Sequence, residues 1–405
     1  MAYTMLNEET RNRISGFWNK KQNVVYWLVA IVVLTIGALF MTVLVIGAIV
    51  QYNNPSKPRA VDESLYFESS KVVTEAGTNA EAYWSKDGQQ IIYQAKMADD
   101  QCDKIYIMNV DGTNKKRVDK TGGFNTCSYF LNDPNYILYS TSGTTYGENG
   151  QCPPKADREL GYVWPLYDTN INLVNVQTSE VVAPITNDKG VYNAEGTLSP
   201  DRNWLVYTST RDGDLELYKL YIGQSTNGSS NGKPIVEQIP TRLTFTPGYD
   251  GGAFFSHDGS KIVYRSNRPS STEALVRYQT FIKAKIAESQ HLEIYVMNAD
   301  GSNQQRITHT PESVVNFSPY FMPNDEGIIF SSNREDPRVF HLYIMDIHGN
   351  HVTRITEEGS FNSFPMFSPD GQYLIYSSNR DTKNPYDMNI VVAKWKPFSF
   401  PKQSL

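Results

Sequence analysis

The sequence predicts an all-β protein, a six-bladed β-propeller preceded by a single N-terminal transmembrane helix. Three observations predict this fold class. One hairpin pattern occurs six times between residues 79 and 381, its copies recur at the length of a four-stranded blade, and one long uncharged apolar stretch precedes them. A repeat of this length is typical of propellers, in which each sheet buries its faces against its neighbours.

The last copy, Asn362–Asp381, shows the hairpin pattern most clearly. Two short apolar runs, Phe364–Phe367 and Tyr373–Tyr376, flank Ser368-Pro369-Asp370-Gly371. An Asp-Gly pair between apolar runs indicates a tight turn between antiparallel strands. Consecutive turn aspartates are 45 to 68 residues apart, and the shorter intervals match one blade. The other five copies share the turn aspartate and the apolar run after it: Asn79–Lys96, Asn125–Ser142, Asn193–Arg211, Asp250–Arg268 and Asn316–Arg334.

Third and fourth strands complete each predicted blade. Apolar runs such as Ile294–Met297 indicate third strands, and short runs such as Thr241–Thr244 indicate fourth strands that end just before the next hairpin. The last blade has no fourth strand of its own, whereas residues 70–74 form such a strand with no blade before it. We therefore expect residues 70–74 to complete blade six and close the ring, because closure removes exposed sheet edges. The predicted propeller covers residues 66–396.

The repeat resembles that of the TolB-like, or WD40-like, propellers. The resemblance rests on Ser368-Pro369-Asp370-Gly371 with Ser377–Asp381, and on Ile294–Asn303 followed by Arg306-Ile307-Thr308. It implies a six-bladed propeller. Propellers of this kind serve as binding platforms, as gating domains of peptidases and as polysaccharide lyases, so the resemblance defines the fold more narrowly than the activity. We expect a membrane anchor here in place of TolB's separate N-terminal α/β domain.

The predicted transmembrane helix covers residues 23–52. Its core, Val24–Val50, contains 27 residues without a charge, and Tyr26, Trp27 and Tyr52 lie near its ends, where aromatic rings favour the membrane interface. A cleaved signal peptide has a shorter apolar region followed by a small-residue cleavage site. The stretch therefore indicates an uncleaved signal anchor.

The charges that flank this span predict its orientation. Four basic residues precede it, in a predicted cytoplasmic tail at residues 1–22, whereas the predicted stalk at residues 53–65 contains only Lys57 and Arg59. This bias places the N-terminus in the cytoplasm. The expected location is the cell membrane, single-pass, with the propeller in the periplasm or outside the cell. A short C-terminal tail is predicted at residues 397–405.

The candidate ligand-binding residues begin with a polar column that starts the six hairpins. Inner strands line the axis of a propeller, so these side chains are predicted to form a ring at the top mouth of the channel. The top is the face that carries the strand two-to-three loops and the blade-to-blade links. Such a ring would bind a peptide end, a sugar or an ion; alternatively, the side chains bond the backbone of the inter-blade turns. The column consists of Asn79, Asn125, Asn193, Asp250, Asn316 and Asn362.

A second column lies two residues further along each inner strand. Strand alternation would place it on the same side as the first column. Glu81, Glu195 and Asp250 would then face one channel, where they could bind a cation such as calcium, bond backbone amides or remain solvated. No other cofactor and no other metal is expected. The second column reads Glu81, Cys127, Glu195, Gly252, Ser318 and Phe364.

Three cysteines, Cys102, Cys127 and Cys152, are predicted on the top face. At most one disulfide bond can form among three, and Cys102–Cys127 and Cys102–Cys152 are both candidate pairings. Three free thiols are the alternative. A bond to Cys152 would tether the long blade-two insertion, Gly143–Asp168.

A second long insertion on the top face follows strand two of blade four. Its central stretch, Ser271–Glu288, lacks proline and glycine and has apolar residues at near-helical spacing. We predict a helix on the top rim, which either caps the blade or docks a partner. Blade three carries a Ser/Asn/Gly-rich insertion, Gly223–Gln238, that predicts a flexible loop on the bottom face.

Composition and motifs favour binding over catalysis. The net charge of −6 argues against nucleic acid as the main partner, because phosphate binding requires a basic face. None of the six histidines is predicted in the channel, so a Ser–His–Asp arrangement is unsupported and no catalytic residue is assigned. The predicted function is a membrane-anchored scaffold of the cell envelope that binds a protein or peptide on its top face.

Two alternatives to this function remain open. One is a hydrolase or lyase that acts on peptide or glycan through Glu81, Glu195 or Asp250 as acid or base. The other is an architectural subunit of an envelope complex.

Overall fold

A serine and an aspartate stabilise each of several hairpin turns. In the last copy, the Ser368 hydroxyl donates to Asp370 at 2.5 Å and accepts the Tyr373 amide at 2.9 Å, while Asp370 accepts the Gln372 amide at 3.0 Å. The hydrogen bond from Ser368 is the main reason that the pKa of Asp370 is lowered. Gly371 adopts a φ of 70°, a conformation that glycine reaches without strain. Serine–aspartate pairs of the same kind hold the turns at Asp87, Asp201 and Asp258.

The computed structural model describes residues 60–143, 151–153, 163–223, 239–384 and 386–401. The predicted cytoplasmic tail, the transmembrane helix, most of the stalk and nearly all of the blade-three loop lie outside these residues. Among the described residues, the helices are too short or too polar to cross a membrane.

The described strands form six four-stranded antiparallel sheets, which confirms the predicted six-bladed propeller. In chain order the strands are β1 Phe67–Val72, β2 Thr78–Trp84, β3 Gln90–Lys96, β4 Lys104–Asn109, β5 Lys116–Arg117, β6 Asn125–Phe130, β7 Tyr136–Thr141, β8 Val163–Pro165, β9 Asn170–Asn175, β10 Glu180–Pro184, β11 Asn193–Leu198, β12 Trp204–Ser209, β13 Glu216–Tyr221, β14 Thr241–Arg242, β15 Tyr249–Phe255, β16 Lys261–Asn267, β17 Ile286–Glu288, β18 Glu293–Asn298, β19 Gln305–Arg306, β20 Asn316–Phe321, β21 Gly327–Asp336, β22 Val339–Asp346, β23 Thr353–Arg354, β24 Asn362–Phe367, β25 Tyr373–Ser378 and β26 Asn389–Trp395. A 3-10 helix spans Glu63–Leu65, and helix α1 spans Thr272–Lys283.

In blades one to five, the order of strands follows the chain. From the axis outwards, blades one to five are β2-β3-β4-β5, β6-β7-β9-β10, β11-β12-β13-β14, β15-β16-β18-β19 and β20-β21-β22-β23. Blade six is β24-β25-β26-β1, so its outermost strand comes from the start of the propeller. Lys71 pairs with Val392 and Val72 with Val391, which confirms that residues 70–74 lie beside the last strand. The first and last strands of the propeller, β1 and β26, therefore pair and close the ring.

Two contacts of the N-terminal segment reinforce this closure. The buried Phe67 ring packs against Tyr376 and Trp395, with centroids 6.4 Å and 5.8 Å away. Glu63 forms an ion pair with the buried Arg380 at 2.8 Å and accepts the backbone amide of Glu357 at 2.7 Å. Glu63, at the end of the predicted stalk, and Phe67, just beyond it, thus both pack on blade six.

Helix α1 is shorter than predicted. Ser271 caps its first turn by accepting the Ala274 amide at 3.1 Å. The helix ends at Lys283, and Lys285, with a φ of 57°, turns the chain into β17. Strand β17 pairs with β8 of the blade-two insertion, so the residues expected in the last helical turn form a strand instead. Helix α1, β8 and β17 together are called the rim below.

Every inner strand contains a bulge at the second column. Its six residues all have a positive φ between 45° and 58°, and the strand register shifts there in each blade. A bulge interrupts the alternation of side chains and redirects the strand. The prediction that both columns lie on one side of the strand assumed unbroken alternation of side chains. The bulge breaks this alternation, and the two columns lie in different surroundings.

Candidate functional site

The six residues of the first column lie inside the propeller wall. All six side chains are fully buried. Asn79 donates to the carbonyl oxygens of Ala76 at 2.9 Å and Met388 at 2.8 Å, and Asn362 donates to that of Phe340 at 3.2 Å. These side chains bind the links between blades, in place of the predicted ring at the channel mouth.

Three other members of the first column bond to neighbouring side chains as well. The Asn125 amide donates to the Asp119 carboxylate and to the Thr121 carbonyl. Asn193 donates to Asp188 at 3.1 Å, and Asn316 accepts from Arg334 at 2.9 Å. Because they are buried and bonded in this way, these amides support the wall rather than line the channel.

Asp250, the acidic member of the first column, is also part of the wall. Arg268 donates to both of its carboxylate oxygens at 3.4 Å. Burial raises the pKa of Asp250 to about 7, and the charge of Arg268 opposes this rise. The expectation that three acidic groups face one channel is therefore not met, since Asp250 is sequestered beside Arg268.

A cavity of about 410 Å³ lies on the propeller axis, and all six blades contribute to its wall. We call it the axial cup. Its wall near the bulges is formed, from blade one to blade six, by Glu81, Cys127, Glu195, Arg265, Phe317 and Phe364. Four of these six belong to the second column, so that column does reach the axis.

Aromatic rings form much of the remaining wall of the cup. Trp164 and Tyr167 come from the blade-two insertion, where β8 belongs to the rim, and Tyr167 packs edge-on against Phe124 at 5.6 Å. Six rings of the wall are only partly buried and present surface to the cavity: Phe124, Trp164, Tyr167, Tyr192, Phe361 and Phe364. The cup is thus largely apolar, with a few polar groups near its bulges.

Buried aromatic residues close the channel below the cup. Tyr83 contacts Tyr129 at 5.4 Å and Phe254 at 5.7 Å, and Phe254 contacts Tyr320 at 5.2 Å. Each lies two residues past the bulge of its strand. Blades one and four are opposite each other in a ring of six, so the contact between Tyr83 and Phe254 crosses the axis. The cup therefore has a floor and does not continue as a channel.

Glu195 is held by four donors in the cup wall. It accepts from the Thr208 hydroxyl at 2.6 Å, from the Gly252 amide at 2.8 Å and from the Tyr249 hydroxyl at 3.2 Å. The fourth donor is the Arg265 guanidinium, which forms a nearly buried ion pair with Glu195. Arg265 also donates to the Tyr249 hydroxyl at 2.8 Å. These bonds fix the position and orientation of the Glu195 side chain.

Glu81 has a different environment on the same wall. Burial raises its pKa to about 7, the negative charge of Glu195 adds to the rise, and a hydrogen bond from Cys127 and the charge of Arg265 oppose it. Among the described residues, no arginine donates a hydrogen bond to Glu81, in contrast to Glu195 and Asp250. A positive charge that enters the cup would therefore stabilise the ionised form of the Glu81 carboxyl group.

One of the two predicted disulfide pairings is present. Cys102 is bonded to Cys152, with their Cα atoms 5.8 Å apart, and Cys127 is a free thiol. The bond ties the blade-two insertion to blade one. Burial, followed by the charge of Glu81, raises the pKa of Cys127 well above its usual value, so the thiol is protonated.

Cation binding by the acidic residues remains a prediction. Within the described residues, no group of three or more histidine, cysteine, aspartate or glutamate side chains is arranged to hold a metal ion. Arg268 and Arg265 hold two of the three predicted carboxylates, Asp250 and Glu195. The predicted calcium ion would therefore depend mainly on Glu81.

Sequence reasoning missed Arg265 and the aromatic wall. One signal for the rings was present, because the residue directly before the hairpin-starting column is aromatic in four of the six copies: Phe124, Tyr192, Tyr249 and Phe361. Arg265 had no such signal, since it lies within β16 and reaches Glu195 from 70 positions away.

Fold and site together define a six-bladed β-propeller with a closed floor and an aromatic, acidic cup on its axis. The family model of the TolB beta propeller domain matches residues 279–397. Residues 279–397 are thus similar to the TolB beta propeller domain, and the described strands form a six-bladed β-propeller.

Solved structures of similar fold include two TolB proteins. The putative TolB from Agrobacterium tumefaciens is 19% identical, with 81% of this chain and 94% of that chain covered and a TM-score of 0.50. TolB from Acinetobacter baumannii is 18% identical, with a TM-score of 0.48; the match covers 70% of this chain but 55% of that one. At these identities the likeness concerns the fold alone.

An enzyme is also among the similar structures. The oligogalacturonate lyase from Vibrio parahaemolyticus is 12% identical, with 80% of this chain and 93% of that chain covered and a TM-score of 0.43. No curated protein sequence matches the chain.

Proposed function

We propose that this chain is a membrane-anchored, extracytoplasmic propeller that binds a protein or peptide through the axial cup. The observation that carries the proposal is the cup itself, in which partly exposed aromatic rings surround the Glu81 carboxyl group above a closed floor. Its volume of about 410 Å³ is in the usual range for binding pockets. A cup of this size suits a chain end or a side chain of the partner, while the rim offers additional contact area.

The anchored location rests on the sequence. The uncharged stretch Val24–Val50 is long enough to span a bilayer, and more basic residues precede it than follow it. The Cys102–Cys152 disulfide supports an oxidising compartment, because such bonds persist outside the cytosol. The propeller is then exposed in the periplasm or at the cell surface.

Catalysis by paired carboxylates has weaker support. Glycoside hydrolysis by acid and base requires two carboxyl groups on either side of the bond that breaks. Of the three predicted candidates, Asp250 lies in the wall and Glu195 is held by four donors. Glu81 remains as a single group, which suits recognition of a ligand better than this chemistry.

Site-specific photo-cross-linking in native membranes tests the proposal. A photoreactive residue replaces Phe361 in the cup wall or, as a control, Tyr373, which is 36% exposed at the start of β25 on the bottom face. We expect a discrete peptide or protein adduct from position 361 that position 373 does not give, identified by mass spectrometry. Adducts from position 373 alone would favour an architectural role, and no adduct from position 361 would contradict binding through the cup.

A further inference from the structure

The charge balance of the axial cup identifies the kind of group it accepts. Arg265 and Glu195 form an ion pair in the wall and neutralise each other. When Glu81 is ionised, the cup therefore has one uncompensated negative charge, and Asp103 adds to the negative potential around it. A cation is complementary to this site, whereas an anion would meet like charge.

The aromatic wall is suited to the same kind of group. The face of an aromatic ring attracts a cation within about 6 Å of its centre. Arg265 already uses this interaction, since its guanidinium carbon lies 5.0 Å from the centre of the Trp164 ring and 5.5 Å from that of Tyr249. Other rings of the wall, including Phe124, Tyr192 and Phe364, are partly exposed to the cavity.

The small volume and the apolar surface of the cup indicate how this cation is attached. Glu81 lies near the floor of the cup, since Tyr83 is two residues further along the same strand, so the carboxylate meets the end of a ligand that enters the cup. In the first residue of a peptide, the ammonium group and the side chain diverge from one carbon atom. The ammonium can therefore meet Glu81 while an apolar side chain lies against the rings.

We infer that the axial cup binds the free N-terminal ammonium group of a peptide whose first side chain is apolar, with Glu81 as its counter-charge. The inference rests on the proposed function and specifies the ligand of that same site. Glu81 is here a recognition residue, and Arg265 positions Glu195 so that it does not compete for the ligand's charge.

Calorimetric titration of the purified full-length chain tests the inference. The probes are synthetic pentapeptides that begin with phenylalanine or leucine, each with a free or an acetylated N-terminus, and an acetylated pentapeptide with one internal lysine. We expect the phenylalanine and leucine peptides with a free N-terminus to bind, and the acetylated forms of these two peptides to bind at least tenfold more weakly. Equal binding of the acetylated peptides would overturn the role of the ammonium group, and equal binding of the lysine peptide would overturn the choice of a chain end.

Variants separate the role of Glu81 from that of the cup. Glu81→Gln should weaken binding of the free peptides at least tenfold, whereas Glu326→Gln, the same change at an exposed turn of the bottom face, should leave it unchanged. Unchanged binding by a folded Glu81→Gln variant would overturn the inference but not the proposed function. Met388→Trp narrows the cup, so binding that persists in this variant would contradict the cup as the site. If none of the peptides binds the wild-type chain, the inference fails, while the cross-linking experiment still decides the proposed function.

Discussion

Glu81 and Glu195 show how neighbours give different chemistry to one residue type. Both occupy the second column, and both adopt a positive φ at the bulge of an inner strand. Glu195 lies within reach of Arg265 and is fixed as an ion pair. Glu81 faces the cup without such a partner among the described residues, and burial raises its pKa to about 7. The group available to a ligand is therefore Glu81.

The raised pKa of Glu81 predicts how stability depends on pH. A carboxyl group whose pKa rises from 4.5 to about 7 on folding destabilises the native state as the pH increases through this range. Relative to Glu81→Gln, the wild-type chain should therefore lose about 1–3 kcal/mol of unfolding free energy between pH 5 and pH 8. Urea denaturation of both proteins at the two pH values measures this difference.

Glu326→Gln is the matched control for this comparison, because Glu326 is exposed on the bottom face. Asp250, whose pKa is also raised, is present in both proteins, and its contribution cancels in the difference. A difference in unfolding free energy between wild type and Glu81→Gln that does not change with pH would contradict the assigned environment of Glu81.

Gly252 is the second residue with a specific expectation. It has a φ of 57°, and a Cβ atom there would lie 2.3 Å from Nη1 of Arg265. Gly252→Ala should destabilise the protein by about 2–4 kcal/mol, because it adds left-handed strain and displaces Arg265 from Glu195. Thermal unfolding measures the loss.

Ser318→Ala serves as a control at the equivalent bulge of blade five. It removes only the hydrogen bond that the Ser318 hydroxyl accepts from the Phe364 amide, which predicts a loss of about 0.5–1.5 kcal/mol. Equal losses in the two variants would show that Arg265 does not depend on the space beside Gly252.

At the scale of elements, the sequence was sufficient for the blades and for ring closure. Repeated turn chemistry and apolar runs predicted the strands, and counting strands showed that residues 70–74 had to complete blade six. The rim was not predictable in the same way. Residues 286–288 fit helical spacing as well as a strand, and the pairing of β17 with β8 joins two insertions that are distant in sequence. The local sequence pattern gives no information about which distant strand β17 pairs with.

The packing of strand β1 on blade six determines how much stability ring closure contributes. Phe67 is 5% exposed and packs on Tyr376 and Trp395, so Phe67→Ala should destabilise the propeller by about 3–5 kcal/mol. Leu65→Ala, two residues earlier at a side chain that is 66% exposed, should change stability by less than about 0.5 kcal/mol. Chemical denaturation compares the two variants. Similar small effects from both would mean that β1 contributes little to closure.

At the scale of the whole molecule, function depends on the differences between six similar blades. The first column is similar in every blade because it supports the links, and this made it conspicuous in the sequence although its side chains are buried. The second column varies from Glu81 to Phe364, and it is this column that reaches the cup. The bulge that separates the two columns is a backbone feature, which explains why side-chain alternation alone misplaced the first column.

The measurement that tests the central claim most directly is the affinity of the cross-linked partner for a chain with a narrowed cup. Met388 lies in the cup wall, and Met388→Trp replaces it with a larger side chain, whereas Met97→Trp makes the same change at a partly buried methionine outside the cup. We predict at least a tenfold loss of affinity, about 1.4 kcal/mol, for Met388→Trp and no loss for Met97→Trp. Unchanged affinity in a folded Met388→Trp protein would contradict binding through the axial cup.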